Sequence, residues 1–130
     1  MARVIAMLMC THESHGDAEA RMLRELDVHR RIGLTHDEFD RVVAQMRRGE
    51  LAGLPQRGYA TLDDLERFDT LLDAVRDPHH RLWLCRVASC LITLDGHVAP
   101  LEGSLYDRML TRWGHTRTSI SRAILEDHAY

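Results

Sequence analysis

The residues most able to do chemistry lie in the stretch LDGHVAPLEG, residues 94–103, where an apolar run ends and an amphipathic run begins. Asp95 precedes Glu102 by seven positions, and His97 lies between them. A turn between two helices would hold the two carboxylates close together, with the imidazole and the turn carbonyls nearby. Carboxylate oxygens suit hard cations such as Ca²⁺, Mg²⁺ and Mn²⁺, whereas an added imidazole favours Zn²⁺. The stretch therefore predicts a divalent-metal site and leaves the identity of the ion open.

The stretch THESHGDAE, residues 11–19, carries a second set of metal-ligating side chains. Glu19 follows His12 by seven positions, which is the spacing between Asp95 and Glu102. We expect Asp95 and Glu102 to be the principal ligands, followed by Glu19 and His12. The weaker candidates are Glu13, His15, Asp17 and His97.

The same residues can also be interpreted as helix termini that need no ligand. Asp95-Gly96 suits a helix C-terminus with a left-handed glycine. Pro100 presets the next helix, and Glu102 falls in its first turn, where the helix dipole favours a carboxylate by roughly 0.3–1 kcal/mol. On this alternative the protein is a metal-free helical adaptor that binds other proteins, and the DG…E turns serve only as caps.

No arrangement in the sequence is typical of a catalytic site. Cys85 and Cys90 are five positions apart, which turns them to different faces of a helix and is the wrong spacing for a CxxC pair. Together with Cys10 they lie in apolar stretches and are expected to be buried thiols in a reducing compartment. The carboxylates of Asp63-Asp64 are expected on an exposed helix face, as caps and solvating charges. We therefore expect a protein that is not an enzyme.

Composition argues against nucleic acid and membrane as partners. The net charge is −3, and the arginines between residues 21 and 48 alternate with acidic residues. The longest apolar stretch, residues 82–94, falls short of the roughly 20 residues that span a bilayer. We expect a cytoplasmic protein whose partners are other proteins, and the sequence leaves its oligomeric state open. Most of the nine histidines, including His29 and His36, are expected at the surface.

Apolar spacing is helical almost throughout and predicts an all-α fold in one domain, residues 1–130. The first half covers residues at about 1–48, and the second half covers about 61–130. A linker rich in Gly and Pro, at about 49–60, lies between them. Seven helices are predicted, at about 3–12, 17–32, 35–46, 61–75, 78–94, 100–113 and 118–127. The fifth is apolar on most faces and is expected to be the central, buried helix.

The two halves resemble each other. In each, an apolar helix gives way to a polar turn, a Glu follows seven positions after the last polar residue of that helix, and the second helix ends at a glycine, Gly33 or Gly114. This pattern favours a duplicated helix-turn-helix-helix unit with a pseudo-twofold axis. The two turns could then approach each other and share one ion.

The DGHVAPLE turn in a chain of this helix order resembles the TerB-like (tellurite-resistance) family, which carries a DGxVxxxE turn, often twice. The second half matches that turn at Asp95, Gly96, Val98 and Glu102. In the first half Glu19 matches, but His12 stands where an Asp is expected and Glu13 occupies the Gly position, a departure that favours softer ions. The resemblance implies an all-helical fold with a metal-binding acidic surface. It also implies a role in the bacterial response to tellurite or other chemical stress, through binding and not catalysis.

Overall fold

The computed structural model of the chain is all-α, as the apolar periodicity predicted. It describes residues 1–11, 17–49, 59–93 and 100–128. Within these ranges there are eight helices, one more than expected. They are α1 Ala2–Met9, α2 Asp17–Glu25, α3 Val28–Ile32, α4 His36–Arg48, α5 Leu62–Asp73, α6 Pro78–Ile92, α7 Pro100–Trp113 and α8 Arg117–His128.

The additional helix arises because the expected helix over 17–32 divides at Asp27. Asp27 adopts the left-handed conformation, with φ 55° and ψ 39°, which Asp tolerates better than most residues. Directly after this break, Val28 is fully buried. No glycine or proline marks the position, so the amphipathic pattern gave no sign that the helix would divide. The helix pair then ends at Gly33, whose φ of 74° matches the predicted glycine cap.

Reciprocal side-chain caps define two of the helix starts, and the spacing of Thr35 and Glu38 in the sequence favours such a cap. The Thr35 hydroxyl accepts a hydrogen bond from the Glu38 backbone N–H at 3.1 Å, and the Glu38 carboxylate accepts one from the Thr35 N–H at 3.2 Å. Thr61 and Asp64 form the same reciprocal box at the start of α5. Asp64 is nevertheless only 2% exposed. The expectation that both members of the Asp63-Asp64 pair lie on an exposed face is therefore wrong for Asp64.

Two helices form the centre of the fold. Helix α6 packs against α1, α2, α7 and α8, which confirms the prediction that this helix is central. Helix α1 is even more enclosed, because every residue from Val4 to Cys10 is buried, and it packs against α4, α5 and α6. A helix that is apolar all round is expected at such a position.

Apolar residues at helical spacing form the inward faces of the helices, with one exception on α5. The buried ones include Met22, Leu23, Phe39, Val43, Phe68, Leu72, Val75 and Ile120. The same spacing favours an inward position for Leu62, which is nevertheless 69% exposed. Six helical positions at about 100° each turn Leu62 about 120° away from Phe68, and therefore away from the core.

Helices α5 and α7 are joined by a pair of bidentate ion pairs, which we call the α5–α7 ladder. Arg108 donates from Nε and Nη2 to the two carboxylate oxygens of Asp69, both at 2.7 Å. Arg112 does the same with Asp73, also at 2.7 Å, and its second terminal nitrogen lies 3.5 Å from Asp69. Hydrogen bonding from Arg108 holds the pKa of Asp69 below its ordinary value. The ladder thus fixes α7 against α5.

Among the described residues, no helix combines the length and the apolar character that a bilayer crossing requires. The division of the chain into two halves and a linker stays a prediction, as does the duplication, because most of the linker lies outside the described residues.

Candidate functional site

Most of the predicted metal ligands lie outside the residues that the structure describes. These are Asp95, His97, His12, Glu13 and His15. Asp17 and Glu19 belong to the first turn of α2. Glu102, the third residue of α7, is the predicted ligand whose surroundings the structure describes.

Glu102 is buried, with only 4% of its surface exposed. Its neighbours Leu101 and Gly103 are buried too, so this end of α7 faces the interior of the fold. A carboxylate removed from water must be compensated by charges, by hydrogen bonds or by a metal. Asp64, which forms a capping box with Thr61, is the other buried charged side chain of the described residues, and neither carboxylate is without an interaction partner.

The predicted turn connects two helices that pack against each other, α6 and α7. Helix α6 ends at Ile92, slightly earlier than the predicted end at about Leu94. At this end the Thr93 hydroxyl donates a hydrogen bond to the Ser89 carbonyl at 2.7 Å. Helix α7 begins at Pro100, as predicted. The connection between them, residues 93–99, holds Asp95 and His97.

Glu102 fits a metal site in one respect, because it presents oxygen donors in a region closed to bulk water. Among the side chains that the structure describes, which do not include those of residues 17–20 and 126–128, no three His, Cys, Asp or Glu come together as a metal-binding group. A metal at the α6–α7 turn would need further ligands from the connection itself or from the first-half candidates.

The cysteines provide no activated nucleophile. Burial raises the pKa of the Cys85 thiol to about 12, so this residue is a neutral thiol near pH 7. Cys10 is fully buried as predicted, whereas Cys90 is only half-buried, and burial raises its pKa as well. Cys10, Cys85 and Cys90, all among the described residues, form no disulfide.

Several arginines of the 21–48 region take part in the fold itself. Arg47 donates from Nη2 to the Met9 carbonyl at 3.0 Å, and the Arg31 guanidinium lies 5.6 Å from the centre of the Trp83 ring. Arg30 pairs with Asp27 at 3.5 Å. These contacts support the interpretation of the region as a mixed-charge helical face.

A close histidine pair, His29 and His36, is a feature that the sequence did not reveal. Their ring centres are 3.6 Å apart, and the ring of Phe39 meets His29 edge-on at 5.5 Å. The Nδ1 atom of His29 is buried without a hydrogen-bond partner. Both histidines were expected at the surface, but only His36 is exposed, because the turn after α3 folds His29 against the start of α4.

This pair makes a specific contribution to the pH dependence of stability. Burial lowers the pKa of His29, the neighbouring His36 lowers it further, and the carboxylates of Asp40 and Asp27 oppose the shift. Because the unfolded chain binds a proton more readily, stability contributed by neutral His29 is present above about pH 6.5 and is lost as the pH falls below it. His29→Gln is expected to reduce the decrease in melting temperature between pH 7 and pH 5.

The matched control for this prediction is His80→Gln, which removes an exposed histidine near the start of α6. It should change the pH dependence of the melting temperature less than His29→Gln does. If both variants follow the same curve as the parent, His29 does not resist protonation in the fold.

The chain matches no protein-family model, no curated protein and no solved structure. The resemblance to the TerB-like family therefore depends on the DGHVAPLE residues and on the order of the helices. It stays a prediction.

Proposed function

We propose that the protein is a non-enzymatic helical module that binds a divalent metal ion at the α6–α7 turn. Asp95 and Glu102 are the principal ligands, with His97 beside them. By its resemblance to the TerB-like family, the module acts in a bacterial response to tellurite or other chemical stress. The observation that carries the proposal is the burial of Glu102.

Burial distinguishes Glu102 from the exposed first-turn acids, and the other buried first-turn acid of the described residues, Asp64, serves as a cap with Thr61. Interaction with the helix dipole is available to an exposed carboxylate in the first turn. Asp37 and Glu38 of α4 and Asp63 of α5 occupy such positions and are all exposed. Glu102 is a more suitable ion donor than these exposed acids, because it is buried. The connection next to it contributes a second carboxylate, Asp95, and an imidazole, His97.

The donor set determines which ions are plausible. Two carboxylates and turn carbonyls would hold Ca²⁺, Mg²⁺ or Mn²⁺, and participation of His97 would favour Zn²⁺. The first-half residues Glu19 and His12 would join only if the two turns approach each other. The ion would link the ends of α6 and α7 and so stabilise their packing.

The experiment is a thermal melt of chelator-treated protein, repeated with each of the four ions. An ion that binds only the folded state stabilises it by about 2.7 kcal/mol at a hundredfold excess over its Kd. We expect one ion to raise the melting temperature by several degrees. Glu102→Gln and Asp95→Asn, which keep side-chain shape and remove charge, should abolish that increase.

The control is Asp63→Asn, which removes an exposed first-turn acid at the start of α5 and should keep the response to the ion. Absence of a shift with every ion would contradict metal binding and favour the helical adaptor. Loss of stability in Glu102→Gln without any ion effect would assign the buried carboxylate a structural role.

A further inference from the structure

A cavity of about 450 Å³ lies between α1, α4 and α5, and nothing in the proposed metal function uses it. Its volume is within the range of small-molecule sites, roughly 300–1,000 Å³. The apolar lining comes from all three helices: Met7 of α1, Val42 and Met46 of α4, and Leu71 of α5.

The apolar wall is suited to a flexible hydrocarbon. Met7 is fully buried and forms the floor, whereas Val42, Met46 and Leu71 are half-buried around it. Two of these four side chains are methionines, whose unbranched and polarisable chains adapt to ligands of different shape. The cavity is open to solvent on one side, so a ligand can bury its tail and keep its head in water.

Among the described residues, the charged side chains that line the cavity have one sign. Arg3 and Arg67 are the charged residues among the described residues that line it, and neither Asp nor Glu is among them. Both arginines are exposed at the rim. Arg3 lies in the first turn of α1, which contains no acidic residue, so the positive end of the helix dipole adds to its charge. Guanidinium groups bind carboxylates in a planar, two-point geometry.

We propose that this cavity binds an amphipathic organic anion: a carboxylate on an unbranched alkyl chain. The tail lies against Met7, Val42, Met46 and Leu71, and the head is held at the rim by Arg3 and Arg67. Gln45, which also lines the cavity, offers an amide N–H to the same head group. The proposal is independent of the metal site, since the two places share no residue.

The test uses the full chain and isothermal titration with decanoate, decanol and decyltrimethylammonium, each below its aggregation concentration. We expect one decanoate per chain and an affinity about tenfold above that of decanol, because a charge-assisted hydrogen bond contributes about this factor. The cation should bind more weakly than the alcohol. A decyl phosphate arm distinguishes a general anion site from a carboxylate site.

Variants test separately how the head group and the alkyl tail of the ligand contribute to binding. Arg3→Gln should lower the affinity for decanoate by about fivefold to tenfold and leave that for decanol unchanged. Arg41→Gln is the matched control, because Arg41 is an exposed arginine of α4 that does not line the cavity. Val42→Phe fills the cavity and should abolish binding of both ligands, and Leu71→Phe replaces it if the first variant does not fold.

Three results would overturn the proposal: no binding of decanoate, equal binding of decanoate and decanol, or decanoate binding that survives in both phenylalanine variants. Glu102→Gln should bind decanoate as the parent does. Failure of the metal proposal would therefore be distinguishable from failure of this one.

Discussion

Replacing Phe68 with alanine is expected to lower the free energy of unfolding by about 3–5 kcal/mol. Phe68 is fully buried in α5, and its helix packs against both α1 and α7. Truncation removes buried apolar surface and leaves a cavity that the neighbouring helices can only partly close. Since small domains are stable by about 5–15 kcal/mol, the loss should appear as a large decrease in the urea midpoint.

The control for Phe68 lies on the same helix. Leu62→Ala removes an exposed side chain and should change the unfolding free energy by less than about 0.5 kcal/mol. The two substitutions together test the orientation of α5. If Leu62→Ala were as destabilising as Phe68→Ala, α5 would have to be rotated from the orientation described above.

The second large effect is expected at the α5–α7 ladder, where Asp69→Asn should cost about 1–2 kcal/mol. The side chain of Asp69 is only 16% exposed and accepts two short hydrogen bonds from Arg108. The upper end of the range for a charged hydrogen bond is not expected, because Arg108 is 38% exposed and partly screened by solvent. Chemical denaturation gives the loss, and a double-mutant cycle with Arg108→Met isolates the coupling.

Acid titration provides an independent measurement of the same contact. Hydrogen bonding from Arg108 lowers the pKa of Asp69 in the fold, so its stabilisation is complete above about pH 4 and is lost as the pH falls further. Asp69→Asn should reduce that acid loss. Asp107→Asn is the control, because Asp107 makes a similar two-point pair with Arg117, at 2.7 and 3.0 Å, but both partners are about half exposed. Equal costs for the two variants would contradict the role of burial.

Features determined by neighbouring residues could be predicted from the sequence. The Thr35–Glu38 capping box, the Asp77-Pro78 start and the glycine ends at Gly33 and Gly114 are present because each depends on groups within a few positions. The break at Asp27 could not be predicted in this way. It accompanies the burial of Val28 in the core, which depends on helices distant in sequence.

The same distinction applies to the sites. The Asp95–Glu102 turn is a local pattern and was visible in the sequence, but the burial of Glu102 depends on how α7 packs. Arg3 and Arg67 have no shared pattern in the chain and line the same cavity only because α1 lies against α5. The turn at Gly33 was predicted, but the contact of His29 with His36 across it was not, because the amphipathic pattern does not specify how these two side chains are oriented.

The α5–α7 ladder also shows the relative direction of the two helices that it joins. Asp69 pairs with Arg108 and Asp73 with Arg112, each across 39 positions and in the same order. Helices α5 and α7 therefore run parallel, and α6 returns the chain between them instead of forming a simple up-and-down hairpin. Sliding one helix past the other by a single turn would leave one Asp and one Arg without their partners. The ladder thus selects one register between the parallel helices α5 and α7. Apolar packing alone would specify that register less strictly.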